Sequence, residues 1–162
     1  MTPIFSLLSR STGLIFLLFA ASTVWGQGAP KAELVLPKTA APGASVRATL
    51  KLTFEPGLHG YQNPPTKDYM IPVKVESAVK GLKVVPKYPK GEVTEVAGES
   101  AAVYEGLVSI PVLVTMPKKL GALTVKISVS YQQCNKEACF PPGSITVTGK
   151  ITVKKATKVK AR

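Results

Sequence analysis

Residues 131 to 142 read YQQCNKEACFPP and contain both cysteines of this 162-residue chain, Cys134 and Cys139. Two sulfurs that close suit three kinds of chemistry: a structural staple, a soft metal clamp, or a disulfide made to be exchanged. The staple is weak on physical grounds. Closing so short a loop removes about 2 kcal/mol of unfolded-state entropy, against nearly 5 kcal/mol for a hundred-residue loop. The metal clamp is short of ligands. His59 is the only histidine, and a closed zinc site wants four Cys or His donors. Two thiolates with His59 or Met70 could hold Cu(I), which prefers soft donors, but no spacing motif supports that set. The two-residue spacing of thioredoxin active sites is absent. An exchangeable pair needs one accessible sulfur and a thiolate. Lys136 favours a thiolate nearby and Glu137 disfavours it, so the local charge balance is open.

The elements that must position the pair have a period of two. In VRATLKLTF, Val46, Ala48, Leu50, Leu52 and Phe54 alternate with Arg47, Thr49, Lys51 and Thr53. LTVKISVSYQ and ITVTGKITV repeat the pattern, which marks strands with one face in a core and one in water. Shorter candidates are AELVL (32–36), IPVKVE (71–76), LKVVPKY (82–88) and LVSIPVLVTM (107–116). Turn clusters separate them, and fourteen prolines and thirteen glycines leave no long helical stretch. Seven to nine short strands argue for an all-β fold, an immunoglobulin-like antiparallel β-sandwich, with a barrel as the competing architecture. Cys134 then closes the strand Leu123 to Gln133, and Cys139 precedes the last strand, Ser144 to Val153. The pair falls at a hairpin-like corner at one end of the sandwich, where a bond forms easily.

The first 26 residues read as a cleaved signal peptide. Arg10 supplies the positive charge, Leu14 to Ala21 the apolar stretch, and Val24-Trp25-Gly26 the small-x-small cleavage site. The apolar run is shorter than the roughly 20 residues of a membrane span, which argues against an uncleaved anchor. Residues 27–153 suit one domain, and export allows a disulfide to persist. The formal charge of +12 comes from 21 Lys+Arg against 9 Asp+Glu, and only Arg10, Arg47 and Arg162 are arginine. Scattered lysines without arginine forks or interleaved aromatics do not point to nucleic acid. Residues 154–162 form a basic C-terminal tail; it reads as a frayed end, and any membrane contact would run through it. No Ser/His/Asp constellation, phosphate-cradling glycine loop or paired-carboxylate motif is present.

The run Val125 to Pro142, with Tyr131-Gln132-x-Cys134, four intervening residues, and Cys139-Phe140-Pro141-Pro142, resembles the amino-terminal periplasmic domain of DsbD-type thiol:disulfide interchange proteins. VYEGLVSIPV (103–112) fits the same family, and GLHGYQNPPTKDYMIPV (57–73) fits more loosely, so the resemblance covers most of Leu58 to Val153. It implies an immunoglobulin-like domain without a bound cofactor, a redox carrier of the protein-disulfide reductase type. Its partners would be thioredoxin-like domains and a membrane electron carrier of the DsbD type acting in trans, with roles in cytochrome c maturation or disulfide isomerisation. By position, Cys139 attacks the partner's disulfide and Cys134 resolves the mixed disulfide. His59 and Tyr61 fall where the family places an aromatic pair beside the sulfurs, although ordinary strand-end packing accounts for them equally well. The family's cap loop puts an aromatic ring over the disulfide. The matching stretch here, TEVAGES (94–100), offers only Val96 and Ala97, with Glu95 where an acid could tune the cysteines. Tyr131 belongs to the inward series of its strand and reads first as core. Phe140 and Pro141, with Pro142, read as a stiff edge presenting Cys139.

Overall fold

The computed structural model describes residues 28–155, so the segment read as a signal peptide and most of the basic tail lie outside the described residues. Twelve strands occur and no helix among the described residues. They are β1 (Lys31–Val35), β2 (Thr39–Ala40), β3 (Ser45–Thr53), β4 (His59–Tyr61), β5 (Lys74–Ser77), β6 (Lys83–Pro86), β7 (Glu92–Val96), β8 (Glu99–Glu105), β9 (Leu107–Thr115), β10 (Gly121–Tyr131), β11 (Gln133–Cys134) and β12 (Gly143–Val153).

Two four-stranded sheets, ordered β1-β3-β9-β6 and β2-β12-β10-β5, make the body of the domain. Their alternating residues meet in one core. Ala48, Leu50, Leu52, Ile110, Val112 and Val114 come from the first sheet, and Val75, Val125, Ile127, Val129, Ile151 and Val153 from the second. Each fully buried aliphatic side chain contributes about 1.5–3 kcal/mol, so this period-two pattern supplies the main drive for the sandwich. The pairing is antiparallel throughout, with one exception: β2 runs parallel to the end of β12, Thr152 opposite Thr39 and Val153 opposite Ala40.

A third sheet, β11-β4-β8-β7, caps one end. The seven segments with strand patterning account for the two large sheets, apart from short β2; none of them belongs to this one. Its strands β4, β11 and the middle of β8 are buried on both faces, which removes their alternation. One face joins the main core through Tyr104, whose hydroxyl donates to the carbonyl of Pro89 at 2.8 Å. Gly60 permits this close packing. A Cβ there would sit 2.9 Å from the Phe54 ring and 3.1 Å from Val73. The other face forms a separate apolar cluster of Tyr61, Met70, Val96, Ala101, Val103 and Cys134.

The corner carrying the cysteines departs from a plain hairpin. β10 and β12 pair over their whole length, ending with Tyr131 opposite Gly143. The chain then leaves that sheet at Gln132, and β11 pairs with β4, Gln133 opposite Gly60 and Cys134 opposite His59. The expected single strand to Gln133 is therefore two strands in two sheets, and the switch brings Cys134 beside His59.

Candidate functional site: a disulfide with one open and one closed face

Cys134 and Cys139 are joined, with Cα atoms 3.9 Å apart, and face each other as an antiparallel bridge. Hydrogen bonds flank the bridge on both sides. Phe140 N–H donates to Gln133 O at 2.8 Å, and Asn135 N–H donates to Ala138 O at 2.9 Å. The Asn135 side-chain oxygen accepts from the backbone N–H groups of Glu137 and Ala138 at 2.9 and 2.7 Å, which fixes the turn between the sulfurs. Gln132 Nε2 donates to Phe140 O at 3.0 Å, tying the residue after Cys139 to the end of the long hairpin. Pro141 and Pro142 follow, both exposed.

The two sulfur-bearing residues differ sharply in access. Cys134 is 0% exposed, inside the second apolar cluster, whereas Cys139 belongs to the exposed stretch 136–139. The Tyr61 hydroxyl lies 3.4 Å from Cys139 Sγ and donates to it. Burial, and then the negative charge of Glu99, push the Tyr61 phenol above its ordinary value, so it stays a donor at neutral pH.

His59 and Tyr61 are alternate residues of β4 and share the disulfide face, their rings 6.3 Å apart and inclined at 72°. His59 is 3% exposed, and its Nε2 has no hydrogen-bond partner. Its Nδ1 lies 3.9 Å from a Glu105 carboxylate oxygen. Burial lowers the imidazole pKa, and Glu105 offsets part of that effect.

The stretch TEVAGES is a hairpin rather than a loop. β7 and β8 join through Ala97-Gly98, both at positive φ (50° and 80°), as a two-residue turn between twisted strands requires. Val96 packs in the cluster with Cys134, and Ala97 N–H donates to Lys136 O at 3.2 Å. Glu95 alternates with Val96 and is exposed on the opposite face. The carboxylates on the disulfide side that engage its tyrosine and histidine neighbours are instead Glu99, which accepts the Tyr69 hydroxyl hydrogen bond, and Glu105, which approaches His59. Sequence patterning missed both acids, because the strand that carries them was not recognised. Tyr131 is buried in the main core, with Gly143 leaving room for its ring. Met70 joins the disulfide cluster, but among the described residues no group of three or more His, Cys, Asp or Glu is placed to hold a metal ion.

A disulfide half buried at the capped end of an immunoglobulin-like sandwich defines the class: an all-β domain that carries a redox-capable pair on a scaffold unrelated to thioredoxin. The sequence matches the family described as thiol:disulfide interchange protein DsbD, N-terminal, over residues 31–150, and the chain belongs to that family. The resemblance drawn from the Tyr-Gln-x-Cys motif is thus borne out. Among solved structures, the chain is similar to the N-terminal periplasmic domain of ScsB from Proteus mirabilis (TM-score 0.53, 13% identity), covering 74% of this chain and 43% of that one. The chain therefore spans less than half of the ScsB structure. It is also similar to the reduced N-terminal domain of DsbD from Neisseria meningitidis (TM-score 0.47, 18% identity), covering 78% of this chain and 91% of that one. No curated protein matches the sequence.

Proposed function

We propose that this chain is an exported thiol:disulfide interchange domain that passes electrons through a reversible Cys134–Cys139 disulfide to or from thioredoxin-like partners. The observation that carries this reading is the asymmetry of the pair: Cys139 exposed with a hydroxyl donor at its sulfur, Cys134 enclosed. Family membership supports the exchange chemistry in general. Residues 1–26 as a signal peptide, 27–153 as the redox domain and a periplasmic setting belong to the same reading.

In the reducing direction, the Cys139 thiolate attacks one sulfur of the partner's disulfide, and the partner's other sulfur leaves as a thiolate and takes a proton. Cys134 then attacks Cys139 Sγ, closing the intramolecular bond and releasing the partner as a dithiol. Two electrons move from the domain to the partner. The reverse sequence reduces the domain. Tyr61 donates to Cys139 and so stabilises its thiolate as attacker or leaving group. The tight turn at Asn135 and the Phe140-Pro141-Pro142 edge hold Cys139 presented, while Val96 and Met70 keep other thiols from Cys134.

The test is trapping. A Cys134→Ala variant incubated with an oxidised thioredoxin-like protein should accumulate a mixed disulfide through Cys139, and Cys139→Ser should not. Failure of Cys134→Ala to trap under exchange-permitting conditions removes the reading.

A further inference from the structure

Resolution of the mixed disulfide poses a proton problem. Cys134 lies in an apolar cluster, and burial there favours the neutral thiol over the thiolate that must attack. Solvent does not reach it, so a base must come from the protein. Five titratable side chains lie on this sulfur's side of the capping sheet: His59 and Tyr61 on β4, Glu99 and Glu105 on β8, and Glu92 on β7, opposite Val103. Tyr61 is engaged with Cys139 and is a poor proton acceptor, Glu99 accepts the Tyr69 hydroxyl, and all three carboxylates are exposed.

His59 is the remaining group. It is directly opposite Cys134 in the β4–β11 pair, which puts the two side chains on one face with Cβ atoms about 5 Å apart. Glu105, directly opposite His59 on the other side, approaches Nδ1. A carboxylate there favours the tautomer with the proton on Nδ1, which leaves the Nε2 lone pair free. That Nε2 is the buried nitrogen without a partner. Orphaned buried polar atoms are uncommon and costly, so one on the residue paired with Cys134 points to use in another state of the cycle.

We propose that His59 Nε2 is the proton acceptor for Cys134. This rests on the exchange reading above. In the resolving step the Cys134 S–H proton passes to His59 Nε2. The sulfur's electron pair forms the bond to Cys139 Sγ, and the Cys139–partner S–S bond breaks, its electron pair leaving with the partner's thiolate. The imidazolium then loses its proton to solvent by way of Nδ1, beside exposed Glu105. In the reverse direction the imidazolium returns the proton to Cys134 as it leaves. Burial keeps His59 neutral at pH 7, the form this role requires.

The two chemical steps can be watched separately in the whole protein. Reduced protein mixed with the chromogenic disulfide dithiobis(nitrobenzoate) should release one coloured thiolate when Cys139 attacks and a second when Cys134 resolves. His59→Gln should leave the first phase unchanged. It should slow the second about a hundredfold at pH 7, the low end for a positioned proton acceptor, with the loss recovered as pH rises. A second phase with unchanged rate and pH profile, beside a normal first phase, overturns the proposal. Absence of both phases in the unsubstituted protein removes the exchange reading and this inference with it. A measurement without substitution guards against misfolding of the variant. His59 is the only histidine, so its ring resonances are unambiguous. Its titration midpoint should be lower in the reduced protein than in the oxidised one, because the Cys134 S–H donates to the neutral Nε2 only in the reduced state, and identical titrations in both states would also overturn the proposal.

Discussion

The backbone N–H of Ala97 donates to the carbonyl of Lys136 at 3.2 Å, tying the tip of the β7–β8 hairpin to the turn between the two cysteines. The neighbouring Val96 side chain lies in the cluster that encloses Cys134. In this chain the cover is therefore aliphatic, anchored by one backbone hydrogen bond and by the Tyr69–Glu99 contact at the base of the turn. Val96→Ala should cost about 1.5–2 kcal/mol, the value of two buried methyl groups, and should accelerate reduction of the disulfide by dithiothreitol. Denaturant unfolding and reduction kinetics check the two effects. An unchanged reduction rate would show that Val96 packs without guarding the bond.

Tyr61 gives a second expectation. Its hydroxyl donates to Cys139 Sγ, and a thiolate accepts that bond more strongly than a disulfide sulfur does. Tyr61→Phe should therefore destabilise the reduced form relative to the oxidised one and make the domain more reducing. A net hydrogen bond of about 1 kcal/mol corresponds to a fall of roughly 20 mV. The alkylation rate of Cys139 near neutral pH should fall as well. A potential that rises in Tyr61→Phe would contradict this role.

Stability should respond to pH through His59. Burial lowers its folded-state pKa below 6.5, the value in the unfolded chain, so the unfolded state binds the proton more tightly. This contribution is intact above pH 6.5 and is lost as pH falls below it. Melting temperatures of the oxidised protein should drop between pH 7.5 and 5, and the drop should be smaller in His59→Gln. Equal losses in both proteins would assign the acid sensitivity elsewhere.

Gly60 lies between the two residues that flank the disulfide, and its missing side chain lets β4 press onto Phe54 and Val73. Gly60→Ala must displace the ring or the strand, an overpacking cost of about 1–3 kcal/mol. Because the strand carries His59 and Tyr61, disulfide reactivity should change together with stability. Gly57→Ala is a useful contrast. It meets no atom within 4 Å, but its φ of 80° imposes backbone strain alone, so it should lower stability without changing reactivity.

Legibility in the sequence followed burial. β3, β10 and β12 each bury one face, so Leu50, Leu52, Ile127, Val129 and Ile151 recur with period two and the strands stand out. β4 is three residues, all buried, and β8 buries Ala101 to Tyr104 without a break, so neither alternates. The turn between β7 and β8 uses Ala-Gly rather than the Asn-Gly or Asp-Gly that signals such a turn, and the segment passes for a loop. The sheet that builds the site was thus the least visible. The cysteines, His59 and Tyr61 were found from residue type and motif, whereas Glu99 and Glu105 needed the register of β8. Glu95, chosen by position in the loop, faces away because β7 alternates.

The central claim is that the Cys134–Cys139 bond is made to open, and its reduction potential tests that most directly. Equilibration of the purified domain with glutathione redox buffers, read by gel shift after thiol alkylation, should give a potential above about −300 mV, with both thiols appearing together. A disulfide that stays closed in every buffer, and opens only well below about −300 mV, would contradict the account and leave the bond as a pin for the turn at Asn135.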